Sequence, residues 1–240
     1  MTEELFGGWG GVMVRACLEG AMGEVLESPS ARGAAAVLGD FAFLAGEPDR
    51  ALLERLRADI LVPRTAAWAE EIRGFYGARS AAFERYAFSR APEDRAALRA
   101  LAVPPGGYEL RAMDEELWGR CLEREWSRDL AAQLGSWERF GEMALGVLAL
   151  SGGELCAGAS SYAACRGAIE IEVDTRPDRR RRGLARCCAA NLVLRCLELG
   201  IYPEWDAHTP ASAALAESLG YGGRRPYTAF AIRDTEAETC

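Results

Sequence analysis

Ile169-Glu170-Ile171-Glu172-Val173-Asp174-Thr175-Arg176-Pro177-Asp178-Arg179-Arg180-Arg181-Arg182-Gly183-Leu184-Ala185 decides the fold. Residues 169 to 174 alternate apolar and acidic, the period of a strand with one face in the core and one facing water or a cleft. Pro177 cannot donate to a ladder and biases Arg176 towards an extended backbone, so the strand ends there. From Leu184, apolar Cys188, Leu192, Cys196 and Leu199 recur every three or four residues, and Gly200 sits where a helix stops. The stretch reads as strand, loop, helix start.

The first turn of a helix carries amides without intrahelical partners and the positive end of the macrodipole. Gly183 lets a ligand approach those amides, so the loop suits a phosphate or pyrophosphate, with arginines adding forked donors. A solvated basic run or a nucleic-acid patch shares the composition. The strand before it and the helix after it favour the phosphate cradle.

Arg180-Arg181-Arg182-Gly183-Leu184-Ala185 resembles the Arg/Gln-x-x-Gly-x-Gly/Ala signature of the GNAT acetyltransferases, in which this loop and helix start hold the pyrophosphate of acetyl coenzyme A. Four segments in order, Gly158 to Tyr162, Ile169 to Thr175, Tyr202 to His208 and Leu215 to Tyr221, resemble more closely one bacterial subfamily that includes the zwittermicin A resistance acetyltransferases. The resemblance extends more weakly through Leu38-Gly39-Asp40-Phe41 and Phe43 to Pro48. It implies an α/β fold with a mixed central sheet and helices on both faces. A smaller α/β N-terminal lobe precedes that sheet, and we hypothesise that it is a degenerate GNAT-like unit.

The chain of 240 residues has 50% apolar and 27% charged side chains, the balance of a globular protein of one large or two small domains. A net charge of -8 argues against a dedicated nucleic-acid binder, so the arginine run is local. Every basic side chain other than the single His208 is an arginine. Met1-Thr2-Glu3-Glu4 lacks a signal-peptide pattern and no apolar run reaches about 18 residues, so a cytoplasmic protein without a membrane span is expected. The eight cysteines, Cys240 the last, form no C-x-x-C pair; reduced thiols and no metal site are expected.

In chain order the spacing predicts a helix over 11–27, a hairpin over 35–45, a helix over 49–58, a strand at 60–63, a helix capped by Thr65 and a strand over 82–89. A helix near 93–101 and Val103-Pro104-Pro105-Gly106-Gly107 mark a boundary between an N-terminal lobe, 1–103, and a second domain, 104–240. The second domain reads as a strand at 108–112, helices over 114–123, around Trp126 to Leu134 and around Trp137 to Met143, then strands at 145–150, 155–162 and 169–174. After the arginine loop come a helix, a strand at 202–206, a helix at 210–219 and a last strand at 227–232.

By the resemblance, the backbone of Val173, Asp174 and Thr175 holds pantetheine and thioester, while Arg180 and the amides of Arg181, Arg182, Gly183, Leu184 and Ala185 meet the pyrophosphate. Thr209, where the family commonly has Asn, and Ser212 are further cofactor candidates. An aliphatic ammonium has a pKa near 10, so acetyl transfer to it needs a base. Glu172 and Glu170, projecting from one strand face, are the candidates; a solvent-facing pair is the competing reading. His208 serves as base, acid or a structural histidine. Ser160, Ser161 and Tyr162, on the strand beside the expected acetyl site, are candidates to line the acceptor pocket by hydrogen bonding; ordinary strand-face polarity is the competing reading. The family's tyrosine acid falls at Ala216. These residues imply an N-acetyltransferase, monomeric or homodimeric, acting on a small-molecule amine; a non-catalytic coenzyme-A-binding regulator and a transferase of a longer acyl group are the rivals.

Overall fold

The computed structural model describes residues 2–9 and 11–233, and these fall into two units, the described residues up to 85 together with 226–233, and 86–225. Both are α/β. The first contains α1 (Thr2–Leu5), α2 (Val12–Leu18), β1 (Glu24–Glu27), β2 (Gly33–Leu38), β3 (Phe41–Gly46), α3 (Arg50–Arg55), β4 (Ile60–Pro63), α4 (Ala66–Tyr76) and most of β5 (Ser80–Ala87), whose last two residues, Tyr86 and Ala87, belong to the second. The second contains α5 (Arg95–Leu101), β6 (Glu109–Ala112), α6 (Glu115–Leu122), 3₁₀ turns at Glu125–Leu130 and Ala132–Leu134, and α7 (Trp137–Met143). It continues with β7 (Gly146–Ser151), β8 (Glu154–Cys165), β9 (Ala168–Thr175), α8 (Leu184–Leu199), β10 (Tyr202–Glu204), β11 (Asp206–Ala207) and α9 (Pro210–Leu219), before β12 (Arg225–Ile232) returns to the first.

In the first unit the strand order is β1-β2-β3-β4-β12-β5. β2 and β3 form the expected antiparallel hairpin, and α3 carries the chain to β4, which pairs parallel with β3. Asp49 and Thr65 cap α3 and α4, accepting from the amides of Ala51 and Trp68. The helix expected over 11–27 ends at Leu18, and residues 24–27 pair with β2 instead. Local apolar spacing there gives way to a ladder with a distant strand.

The last strand, expected in the second domain, belongs to the first unit. Phe230 and Ala231 pair with Leu61 and Ile60, and Phe230 lies in a core with Leu44, Leu52, Leu61, Trp68 and Ile72. Near the start of β12, Tyr227 accepts from the Nε of buried Arg85 at 3.0 Å. The elbow at 103–107 falls inside the second unit, because Asn191 of α8 donates to Ala102 at the end of α5 at 2.7 Å.

The second unit's sheet runs β10-β9-β8-β7-β6, antiparallel except for the parallel pair β9–β10. β7 and β8 are buried almost throughout, as strands covered on both faces are. On one face α8 packs through Leu184, Cys188, Leu192 and Cys196, whereas Leu199, expected on that face, is exposed. The 3₁₀ turns over 125–134, expected as a helix, cover the other face. A Cβ at Gly158 would stand 2.6 Å from the Leu148 side chain and 2.7 Å from that of Leu130, so any larger residue there requires those leucines to shift. No described helix is long and apolar enough to cross a membrane. The seven described cysteines are free, and Cys240 lies outside the described residues.

Phe230 is 1% exposed, so Phe230→Ala removes a ring from the first unit's core. The expected loss is about 3–5 kcal/mol in denaturant unfolding; a loss below about 1 kcal/mol would contradict the placement of β12.

Candidate active site

The site begins where two strands part. β10 pairs with β9 over three residues only, Tyr202, Pro203 and Glu204 against Ala168, Ile169 and Glu170. One residue later the chain turns to a different neighbour: Phe88 donates to Trp205, and Asp206 and Ala207 pair with Ala87 and Tyr86. A parallel ladder uses every second amide. It opens here with Tyr202 donating to Gly167, so the Asp206 amide would be due at the carbonyl of Ile171. It is held instead by Glu170 Oε1 at 2.8 Å.

Beyond that point β9 has one strand partner among the described residues, β8. Arg176 donates to Cys156, so the alternate amides of Asp174 and Glu172 also face β8, while those of Val173 and Thr175 face the open side. The Val173 amide accordingly meets its neighbour's carboxylate, Glu172 Oε1, at 3.0 Å. The hydroxyl of Thr175 is buried and has no hydrogen-bond partner among the described residues. An unpaired strand edge ending in an orphaned hydroxyl fits an extended, amide-bearing arm.

Glu172 and Asp174 stand opposite Ser160 and Gly158, on the face covered by the 125–134 segment. That segment is pinned by Ser160, which is fully buried and donates to Leu130 at 2.7 Å. Ser161, also buried, accepts from the Leu145 amide. Tyr162 is buried at a bulge where the β8–β9 register slips. Burial, and next to it the charge of Asp129, push the Asp174 carboxyl up to about 6; Arg180 opposes the shift.

The arginine loop follows. Arg181 and Gly183 both adopt left-handed backbone, φ 59° and 80°, and α8 starts at Leu184. A Cβ at Gly183 would point into open space, so the mouth of the helix is clear. No side chain among the described residues caps it, in contrast to α3, whose first turn already holds the Asp49 carboxylate. Arg176 grips Asp178 through two hydrogen bonds of 2.7 and 3.1 Å and bridges to Glu154, fixing the loop's entry. Arg180 donates to the Thr175 carbonyl and Arg182 to the Tyr108 hydroxyl. Arg181 makes no side-chain hydrogen bond or ion pair among the described residues. Free amides, a left-handed nest and an unengaged guanidinium form the donor set a diphosphate requires.

At the start of α9, Thr209 Oγ1 accepts from the Ser212 amide at 3.1 Å, and Ser212 Oγ accepts from Trp205 Nε1 at 3.2 Å. His208 is exposed beside this cap, and Ala216 is fully buried.

A family model for GNAT acetyltransferases matches residues 3–230. The chain belongs to the GNAT acetyltransferase family. It is 42% identical to a GCN5-related N-acetyltransferase-like protein from Streptococcus suis 89/1591, whose crystal structure superposes with a TM-score of 0.92 over 96% of each chain. A GCN5-related N-acetyltransferase from Kribbella flavida shares the fold at 15% identity and a TM-score of 0.59, over 95% of this chain and 98% of that one. The uncharacterized N-acetyltransferase YdfB of Bacillus subtilis (strain 168) is 27% identical over 128 residues; the chain spans 49%, about half, of that curated relative.

On this GNAT scaffold the predicted residues divide into groups. Glu172, Val173, Asp174 and Thr175 share the open edge of β9, and Arg180 to Ala185 the loop that continues it. Glu170 is buried at the fork, while Thr209 and Ser212 hold the turn into α9. Ser160 and Ser161 bond to the backbone of flanking segments, so their hydroxyls fasten those segments to the sheet. Asp129 escaped the sequence reading: the helical spacing assumed for Trp126 to Leu134 hid the 3₁₀ turns that bring it to Asp174.

Because folding raises the Asp174 pKa from 3.8 to about 6, its neutral form is favoured in the native state. That contribution is whole below pH 4 and is lost as pH rises through 6. Asp174→Asn mimics the neutral form. Its melting temperature is expected to match wild type below about pH 4, to exceed it increasingly between about pH 4 and 6 and to keep a constant lead above that; a pH-independent difference would dismiss the assignment.

Proposed function

We propose that this GNAT chain transfers an acetyl group from acetyl coenzyme A to the amine of a small molecule by direct attack in a ternary complex. The observation that carries the reading is the open edge of β9 running into the uncapped start of α8, one continuous track of amides. The resemblance to the zwittermicin A resistance acetyltransferases supports a small amine.

The coenzyme supplies an activated thioester. Thr175 offers its edge amide and its orphaned hydroxyl to the pantetheine arm, joined by the Val173 amide when Glu172 turns from it to the acceptor, and the amides from Arg181 to Ala185, with the Arg180 and Arg181 guanidinium groups, hold its diphosphate. Held in line, the acceptor nitrogen forms a bond to the thioester carbonyl carbon as the carbon–sulfur bond breaks. The sulfur leaves with the electron pair and takes a proton from water. Much of the rate comes from this positioning.

An ammonium must lose a proton before it attacks. Glu172 suits that task because its carboxylate already reaches the open edge, at the Val173 amide. Asp174 and Asp129 beside it add negative charge, which favours a cationic acceptor over a neutral or anionic one. The buried Ala216 at the family's tyrosine position favours a second reading, a coenzyme-A-binding regulator without turnover. Thiol release from acetyl coenzyme A with a panel of amines separates the two: binding without release under any amine selects the regulator.

Gly183→Glu places a carboxylate at the mouth of α8 and strains a left-handed position. Its affinity for acetyl coenzyme A in calorimetry is expected to fall at least about tenfold, or about 1.4 kcal/mol; unchanged affinity removes the diphosphate site. Glu172→Gln is expected to lower kcat more than about tenfold with cofactor affinity unchanged, measured by steady-state thiol release. Full turnover in that variant would move the proton acceptor elsewhere.

A further inference from the structure

We infer that Glu170 is a positioning residue that keeps the cofactor slot open by ending the β9–β10 ladder, and that it is not the base. The inference rests on the transferase reading above and assigns this carboxylate a separate task within the same site.

Glu170 is 4% exposed, and its Oε1 holds the Asp206 amide at 2.8 Å. That amide is the next donor in the parallel ladder, so the side chain takes the place of the Ile171 carbonyl. With the amide satisfied at Glu170, residues 205–207 are released to pair with Tyr86, Ala87 and Phe88. Opposite Glu170, the β8 register slips by one residue at Tyr162, so both sides of β9 change partner register at one position. An apolar side chain here would leave the Asp206 amide buried without an acceptor, or return it to Ile171. The second outcome zips the edge that Val173 and Thr175 otherwise present.

The groups facing this carboxyl are Glu204, Asp206, Tyr202 and Tyr221. Glu204 is the nearest acid among these, and two carboxylates so placed disfavour each other's charge. Burial, then the charges of Glu204 and Asp206, push Glu170 well above the usual carboxylate range. An amide keeps the accepting oxygen without a carboxylate's basicity, so glutamine separates positioning from proton abstraction.

The test measures acetyl coenzyme A affinity by calorimetry, kcat and KM by thiol release, the pH profile of kcat/KM and the melting temperature, in wild type, Glu170→Gln and Glu170→Leu. If wild type takes up no coenzyme, the transferase reading itself fails, whatever the variants do. Given wild-type uptake and turnover, Glu170→Gln is expected to keep affinity and kcat within about threefold with an unshifted pH profile. Glu170→Leu is expected to lose at least about tenfold in cofactor affinity while still melting cooperatively. Loss of kcat in Glu170→Gln with affinity intact would make Glu170 the base and overturn the inference. So would wild-type affinity in Glu170→Leu. Should the leucine variant fail to fold, amide exchange at Asp206 in Glu170→Gln decides: slow exchange alongside retained affinity supports the bond as drawn, and fast exchange with retained affinity refutes it.

Discussion

A strand edge serves one partner at a time, and the candidate site depends on that exclusivity. β10 accompanies β9 for three residues and then turns to Tyr86 and Ala87, so the far half of β9 presents its donors and acceptors to whatever enters. Buried backbone groups left unpaired are costly, so the departure must itself be satisfied. Glu170 takes up the Asp206 amide on one side of the fork, and Glu172 covers the Val173 amide on the other.

The open edge has a direction because β9 feeds a loop and a helix start. Arg176, tied to Asp178 and Glu154, stiffens the exit from the strand, and two left-handed residues turn the chain so that α8 begins with its first-turn amides uncapped. α8 lies beneath the sheet through alanine and cysteine side chains, Cys187 to Ala190, that let helix and strands approach closely. Its position is fixed again by Asn191, which donates to Ala102 of α5's end. Strand edge and helix mouth are thereby held by the same packed layer, and a ligand spanning them meets a preorganised surface.

Much of this was legible in the chain. Strict alternation over 169–174 and the three-to-four spacing after Gly183 are periodic signals, and both elements formed as read, with β9 ending at Thr175 and α8 starting at Leu184. What escaped depends on partners distant in sequence. The run 202–206 reads as one strand, and only its two neighbours show that it serves 168–170 first and 86–88 afterwards. The closing strand reads as the end of the second domain until Phe230 is found packed among Leu44, Leu61 and Trp68. Ser160 and Ser161 carry hydroxyls on a strand, and nothing local reveals that backbone groups of Leu130 and Leu145 claim them.

The same limit explains why three carboxylates at two-residue spacing look equivalent in the chain and are not. Residues two apart on a strand stand about 7 Å apart, and at an effective dielectric near 20 two full charges there repel by about 2 kcal/mol. The fold answers this by giving each a different environment. Glu170 lies deepest, where burial and the charges of Glu204 and Asp206 disfavour its ionised form. Asp174 is partly buried beside Asp129 and relieved in part by Arg180. Glu172, between them, reaches the open edge. Disfavouring charge on the deepest acid lowers the repulsion on the other two, so the negative potential of this face falls chiefly to Glu172 and Asp174, along the stretch of β9 left open beyond the fork.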